Sequence, residues 1–141
     1  MERKKVLFLC TGNSCRSQMA EGWARHLLND QIEAASAGLI KHGVDPKAVK
    51  VMTEAGVDIS GQKSKTIEEL PDQNFDAVIT LCDAANESCP FFPGQMIRLH
   101  QGFDDPPSLA MNAPDEKSVL QIYCRVRDEI KDFVRELPER M

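Results

Sequence analysis

No apolar run in this chain of 141 residues approaches the ~20 needed to cross a membrane as a helix. The apolar stretch behind Arg3-Lys4-Lys5, from Val6 to Cys10, also falls short of the ~7–15 residues of an export signal. A cytoplasmic protein without membrane attachment is expected. Basic residues are not in excess: 17 Lys and Arg face 22 Asp and Glu, and a net charge of −5 offers nucleic acid no footprint. An anionic substrate must therefore be attracted locally, not by the protein as a whole. The five cysteines include no Cys-x2-Cys pair, and the three histidines (His26, His42 and His100) are scattered, so no metal site of the zinc type is expected. An odd cysteine count without an export signal also argues against structural disulfides. Repeats, low-complexity tracts and linkers are missing as well. What remains for the cysteines is nucleophilic or redox work.

With 42% apolar and 28% charged residues the composition is that of an ordinary globular protein, and the length suits a single domain over residues 1–141. Val6–Cys10 has the unbroken apolar character of a buried parallel strand. A helix from Gln18 to Leu28 places Ala20, Trp23, Ala24, Leu27 and Leu28 on one side. Ile32–Ala37, closed by Gly38, suggests a second strand. Pro46 opens a helix carrying Ala48, Val49, Val51, Met52 and Ala55, with Gly56 placed to cap its end. Thr66–Leu70 makes a short helical turn stopped by Pro71. Phe75–Leu81 is a third strand and Met96–Leu99 a weaker fourth. Residues 100–117 are expected to be loop, with Gly102, Pro106, Pro107 and Pro114. From about Lys117 to Leu137 a final helix carries Val119, Ile122, Tyr123, Val126, Ile130, Phe133, Val134 and Leu137 on one face. Strands alternating with helices predict an α/β domain around a parallel sheet, with the ligand site beyond the carboxyl ends of its strands.

The densest chemistry lies in Cys10-Thr11-Gly12-Asn13-Ser14-Cys15-Arg16-Ser17. A cysteine at a strand end and an arginine at a helix start enclose a loop that can curl with its backbone N–H groups inward. Such a nest at a helix N-terminus binds a tetrahedral oxyanion. Arg16 can add two parallel charge-assisted hydrogen bonds. The Cys10 sulfur would lie under the anion, where the N–H dipoles, the helix end and Arg16 all favour a thiolate. Gly12 and Asn13 are expected at positive φ, and Ser17 is placed to hydrogen-bond the sulfur.

This segment resembles the phosphate loop of low-molecular-weight protein tyrosine phosphatases. More closely, CTGNSCRSQMAEGW is similar to the thioredoxin-coupled arsenate reductases built on that fold, and the resemblance extends over nearly the whole chain. It implies a four-stranded parallel sheet in the order 2-1-3-4, flanked by helices. It implies arsenate as substrate, seated on Thr11, Gly12, Asn13, Ser14, Cys15, Arg16 and Ser17, with phosphate or sulfate as competing oxyanions. It also implies Asp105, before Pro106, as the general acid that protonates a departing oxygen, a poor leaving group without that proton. The side chains of Cys15 and Cys124 are expected to be bystanders, and His42 a surface histidine.

Cys82 follows the third strand and Cys89 lies seven residues on. A helix of that length rises ~10.5 Å, whereas a disulfide needs Cα atoms within ~4.4–6.8 Å. The two thiols can bond only if the segment unwinds, and Pro90-Phe91-Phe92-Pro93-Gly94 is a hinge candidate beside it. With a nucleophilic Cys10 at a neighbouring strand end, a relay of thiols is the better reading, and Thr80-Leu81-Cys82 resembles the redox pair of the arsenate reductases. The resemblance implies Cys10–Cys82 and then Cys82–Cys89 disulfides, regenerated by thioredoxin or a similar dithiol, and no cofactor. Some relatives bind potassium through residues matching Asn13, Glu21 and Ser36 plus two further side chains. Those last positions are Lys63 and Lys65 here, so the cation is expected to be replaced by a lysine ammonium, with Lys63 favoured. A tyrosine phosphatase using Cys10, Arg16 and Asp105 is the alternative, and an oxyanion sensor a third reading. A monomer is expected.

Overall fold

The computed structural model describes residues 3–89, 92 and 96–141. Four strands, β1 (Lys4–Cys10), β2 (Ile32–Gly38), β3 (Ala77–Thr80) and β4 (Ile97–His100), form one parallel sheet in the order β2-β1-β3-β4. Central β1 is apolar without alternation because both of its faces are covered: Val6, Leu7, Phe8 and Leu9 are fully buried. β4 is one of the two edge strands and alternates between half-buried and exposed residues.

Helix α1 (Arg16–Leu27) packs on β1 and β2 and against α5 (Glu116–Arg140). The Trp23 indole N–H closes that contact on the Arg127 carbonyl at 3.2 Å. Helix α2 (Pro46–Glu54) starts where Asp45 accepts from the Lys47 N–H at 2.9 Å and ends at Gly56, whose φ of +89° only glycine adopts freely. α5 begins at an Asp115 cap and buries Tyr123, Val126, Ile130, Phe133, Val134 and Leu137. It runs on through Pro138, three residues past the expected end.

Two short helices bear on the site. Residues 83–87 form a short helix, α3 (Asp83–Glu87), immediately behind Cys82. The expected 100–117 loop contains α4 (Pro106–Ala110). Its first two residues are prolines, which need no N–H partner in a first turn and have φ already set for a helix; the sequence reading took them as loop signals. The hinge candidate at 90–94 lies, except for Phe92, outside the described residues. Among the described residues no helix is long and apolar enough to cross a membrane.

Candidate active site

Strand register brings the chemistry to one edge. Cys10 pairs with Gly38, and Leu9 pairs with Thr80, two residues before Cys82. The chain leaves β1 toward β2 on one side and returns to β3 on the other. This reversal opens a crevice at the carboxyl end of β1.

The loop from Cys10 to Arg16 is held by its carbonyls. Leu39 N–H donates to Cys10 O at 3.3 Å, Ile40 N–H to Thr11 O at 3.0 Å, His42 N–H to Gly12 O at 3.0 Å and Asp45 N–H to Ser14 O at 2.9 Å. The Gln18 amide donates to Asn13 O at 3.0 Å. A trans peptide carries its C=O and N–H on opposite sides. With these carbonyls turned outward, the N–H groups of the same peptide units face the inside of the curl. Asn13 turns the chain at φ +47°. Gly12, expected to share that conformation, does not adopt it. The His42 ring packs on it instead: a Cβ at Gly12 would lie 2.4 Å from His42 Cδ2, and the exposed ring would have to swing aside. Gly38 meets the loop from beneath: a Cβ there would lie 2.5 Å from Ile40 O, 2.7 Å from Asn13 N and 2.8 Å from Thr11 O.

Cys10 is buried, and its Sγ lies 2.9 Å from Ser17 Oγ. The Asn13 amide donates to Ser17 Oγ at 2.8 Å, and toward a Cys10 thiolate, which can only accept, the Ser17 hydroxyl is the donor. Asn13 also donates to Ser36 Oγ at 3.0 Å, and Ser36 donates to Glu21 Oε1 at 2.6 Å. The Glu21 carboxylate is fully engaged. Arg25 reaches Oε2 at 2.8 Å and Lys65 Nζ lies 4.0 Å from Oε1. Lys65 also donates to the Lys63 carbonyl at 2.9 Å. Of the two lysines it is Lys65, not the favoured Lys63, that reaches Glu21.

Cys15 occupies the N-cap of α1 without capping it, so its side chain leaves the first-turn N–H groups to an anion. Burial, and then Asp45 and Cys10 nearby, push the Cys15 thiol well up. The buried Arg16 guanidinium donates to Phe103 O at 3.1 Å and lies 3.9 Å from Asp105 Oδ2. Asp105 precedes α4 and accepts from Ser108 Oγ at 2.8 Å. Asp104 instead pairs with Arg125 at 2.9 Å. The two adjacent carboxylates are thereby separated: Asp105 lines the cavity over Cys10 and Asp104 does not.

That cavity measures about 420 Å³, with Cys10, Arg16, His42, Asp45, Asp105 and Pro107 among its walls. His42 was read from sequence as an ordinary surface residue. It is exposed, but its ring covers Gly12 and walls the cavity. Asp45 was not foreseen, although Asp-Pro before a helix marks an N-cap. It accepts from Tyr123 Oη at 2.5 Å, and burial together with Asp45 raises that hydroxyl far above its usual range, so it stays a donor.

Cys82 sits at the N-cap of α3, buried, with Sγ 3.3 Å from Thr11 Oγ1. Cys89 remains beyond the far end of α3, half-buried, its thiol pushed up by burial. None of the five cysteines is in a disulfide. The structure thus gathers Cys10, the Thr11–Ser17 loop, Asp105 and Cys82, and leaves Cys89 apart. Among the described residues no three His, Cys, Asp or Glu side chains converge as metal ligands would.

The profile of the low molecular weight phosphotyrosine protein phosphatases matches residues 5–141. An arsenate reductase of Bacillus subtilis is 49% identical over 139 residues, 99% of this chain and 98% of that protein. The solved structure of an arsenate reductase in the phosphate-binding state is 37% identical, covers 95% of each chain and superposes with a TM-score of 0.76. A thioredoxin-dependent arsenate reductase of Corynebacterium glutamicum is 27% identical with a TM-score of 0.68, over 97% of this chain and 61% of that one.

Proposed function

This chain belongs to the low molecular weight phosphotyrosine protein phosphatase family and is an enzyme of its arsenate reductase kind; on that premise we propose a three-cysteine route by which it turns arsenate into arsenite. Arsenate sits on the N–H groups of Thr11–Ser17 and on Arg16. The Cys10 thiolate attacks arsenic, Asp105 protonates the departing oxygen, and water leaves. Cys82 then attacks the Cys10 sulfur. The electron pair of the sulfur–arsenic bond passes to arsenic, arsenite departs and a Cys10–Cys82 disulfide remains. Cys89 attacks Cys82, which frees the Cys10 thiolate and moves the disulfide to Cys82–Cys89. A thioredoxin-like dithiol reduces that bond by two further exchanges. The protein is taken to work as a monomer in the cytoplasm.

The observation that carries this reading is the Cys82 thiol, buried 3.3 Å from the hydroxyl of Thr11, the residue after Cys10. Ester hydrolysis needs no second thiol there; reduction does. For α3, the relay demands opening, since Cys89 cannot meet Cys82 while Asn86 N–H donates to Cys82 O at 3.1 Å. No cofactor enters. The potassium site of some relatives does not fit these residues, because Arg25 and Lys65 already take the Glu21 carboxylate. Lys65 stands in for the ion.

The test is NADPH oxidation with arsenate, thioredoxin and thioredoxin reductase. Wild type should turn over steadily and Cys89→Ser should stop after one turnover. Equal turnover in both removes Cys89 from the route. No turnover in either, with hydrolysis of an aryl phosphate, favours the phosphatase reading of the same Cys10, Arg16 and Asp105 machinery.

A further inference from the structure

One side-chain cluster beside the cavity has no part in the route above. His100 ends β4 next to the end of β3, with which Thr80 pairs it in register. Its Nδ1 lies 2.8 Å from Thr80 Oγ1 and its Nε2 lies 3.2 Å from Asp83 Oδ1. An aspartate carboxylate only accepts, so Nε2 carries a proton and donates to Asp83. In the neutral ring Nδ1 then accepts from the Thr80 hydroxyl. Thr80 is two residues before Cys82, and Asp83 is one residue after it, the first residue of α3. One imidazole therefore grips the chain on both sides of the relay cysteine. Gly102 closes over the pair: a Cβ there would lie 3.7 Å from His100 Nε2 and 4.0 Å from Asp83 Oδ1. Helix α3 is five residues long and buries Ala85 alone, and Thr80 Oγ1 also lies 3.4 Å from Asn86 Oδ1.

We propose that His100 is a positioning residue for the thiol relay: by holding Thr80 and Asp83 it keeps Cys82 at the N-cap of α3, against Thr11, and sets how readily α3 opens to let Cys89 in. The proposal rests on the three-cysteine route. The step it governs is an exchange. The Cys89 thiolate attacks Cys82 of the Cys10–Cys82 disulfide, the Cys82–Cys89 bond forms and Cys10 leaves as thiolate, with no electrons entering or leaving. The Asp83 side chain is 90% exposed and that of His100 32%. A partner pair so open to solvent is a light grip, which suits a helix that must open in every cycle, and its removal is worth roughly 2–5-fold in an opening rate.

The experiment follows one turnover of reduced enzyme with one equivalent of arsenate, quenched in acid at successive times, alkylated and mapped by mass spectrometry. Alongside it, amide hydrogen exchange is read at Asn86 and Ser88, whose N–H groups close α3 on Cys82 O and Ala84 O, both at 3.1 Å. His100→Ala should form Cys82–Cys89 about 2–5-fold faster and speed exchange at Asn86 and Ser88 by a similar factor, with the arsenate KM unchanged. Asp83→Ala removes only the Asp83 half of the grip and should give a smaller acceleration in the same direction, and the double variant no more than His100→Ala alone, because His100→Ala already removes that contact. His100→Gln, whose amide can still donate to Asp83, should return both rates toward wild type. Unchanged disulfide transfer and unchanged hydrogen exchange in His100→Ala overturn the proposal. So do independent, multiplying effects in the double variant. If wild type never forms Cys82–Cys89, the route itself fails; the hydrogen-exchange comparison then still decides whether His100 holds α3.

Discussion

Ser17 Oγ lies 2.9 Å from Cys10 Sγ, and the Asn13 amide holds the same serine oxygen at 2.8 Å. A Cys10 thiolate therefore has a hydroxyl donor on the first turn of α1. Ser17→Ala removes that donor and leaves Cys10 where it is. A hydrogen bond to a charged group is worth ~1.5–3 kcal/mol. Alkylation of Cys10 by iodoacetamide at pH 7 should slow by about 10-fold or more, and kcat/KM for arsenate should fall with it.

Arg16 donates to the Phe103 carbonyl at 3.1 Å and, in the proposed route, also to the anion. Lysine keeps the charge but not the planar pair of donors. Arg16→Lys should raise the arsenate KM and lower kcat, together by ~100-fold in kcat/KM. Phosphate should inhibit the variant correspondingly less.

Asp104 and Asp105 are chemically alike and structurally opposed. Asp105→Asn removes the proton donor over Cys10 and should cut the first step by ~10²-fold. Asp104→Asn breaks an exposed pair with Arg125, and kcat should stay within about 2-fold of wild type. Rapid-quench measurement of arsenite release in both variants checks this.

Much of this was legible because local patterns decide it. The unbroken apolar run of β1, the Pro46 helix start and the face of α5 each depend on neighbours in sequence. The sheet order followed with the resemblance. What stayed hidden depends on residues far apart. Gly12 packs under the ring of His42, thirty positions away, and does not take the positive φ expected of it. The choice between Lys63 and Lys65 turns on which side of a short loop faces Glu21. Two prolines after Asp105 look like loop until the following residues are seen to close a helical turn.

The pairing of Glu21 with Arg25 and Lys65 predicts indifference to potassium. Turnover and thermal midpoint should be the same in equimolar KCl and NaCl. A strong, potassium-specific gain in either would show that Lys65 does not fill the ion's place. Lys65→Ala should lower the midpoint by a few degrees, as befits a half-buried ammonium and its partner.

At the far side of the sheet edge, Lys41 donates to Glu69 at 2.7 Å and the Thr66 N–H donates to the same carboxylate at 3.0 Å. Lys41, and then Thr66, hold Glu69 down at about 2 against an ordinary 4.5. A depressed carboxyl stabilises the fold above its unfolded pKa and loses that contribution as pH falls through its folded one. Stability should therefore decline between pH 4.5 and 2. Glu69→Gln should flatten that part of the curve in urea unfolding followed from pH 6 downward.

The carbonyls of five consecutive residues, Cys10 to Ser14, are anchored from outside, and the bare backbone of Gly38 supports them from below. The oxyanion seat is therefore measured out in chain length more than in side-chain identity. Drift among Thr11, Ser14 and Cys15 changes the walls of the seat but not its spacing. One residue gained or lost between Cys10 and Arg16 would shift every anchor at once.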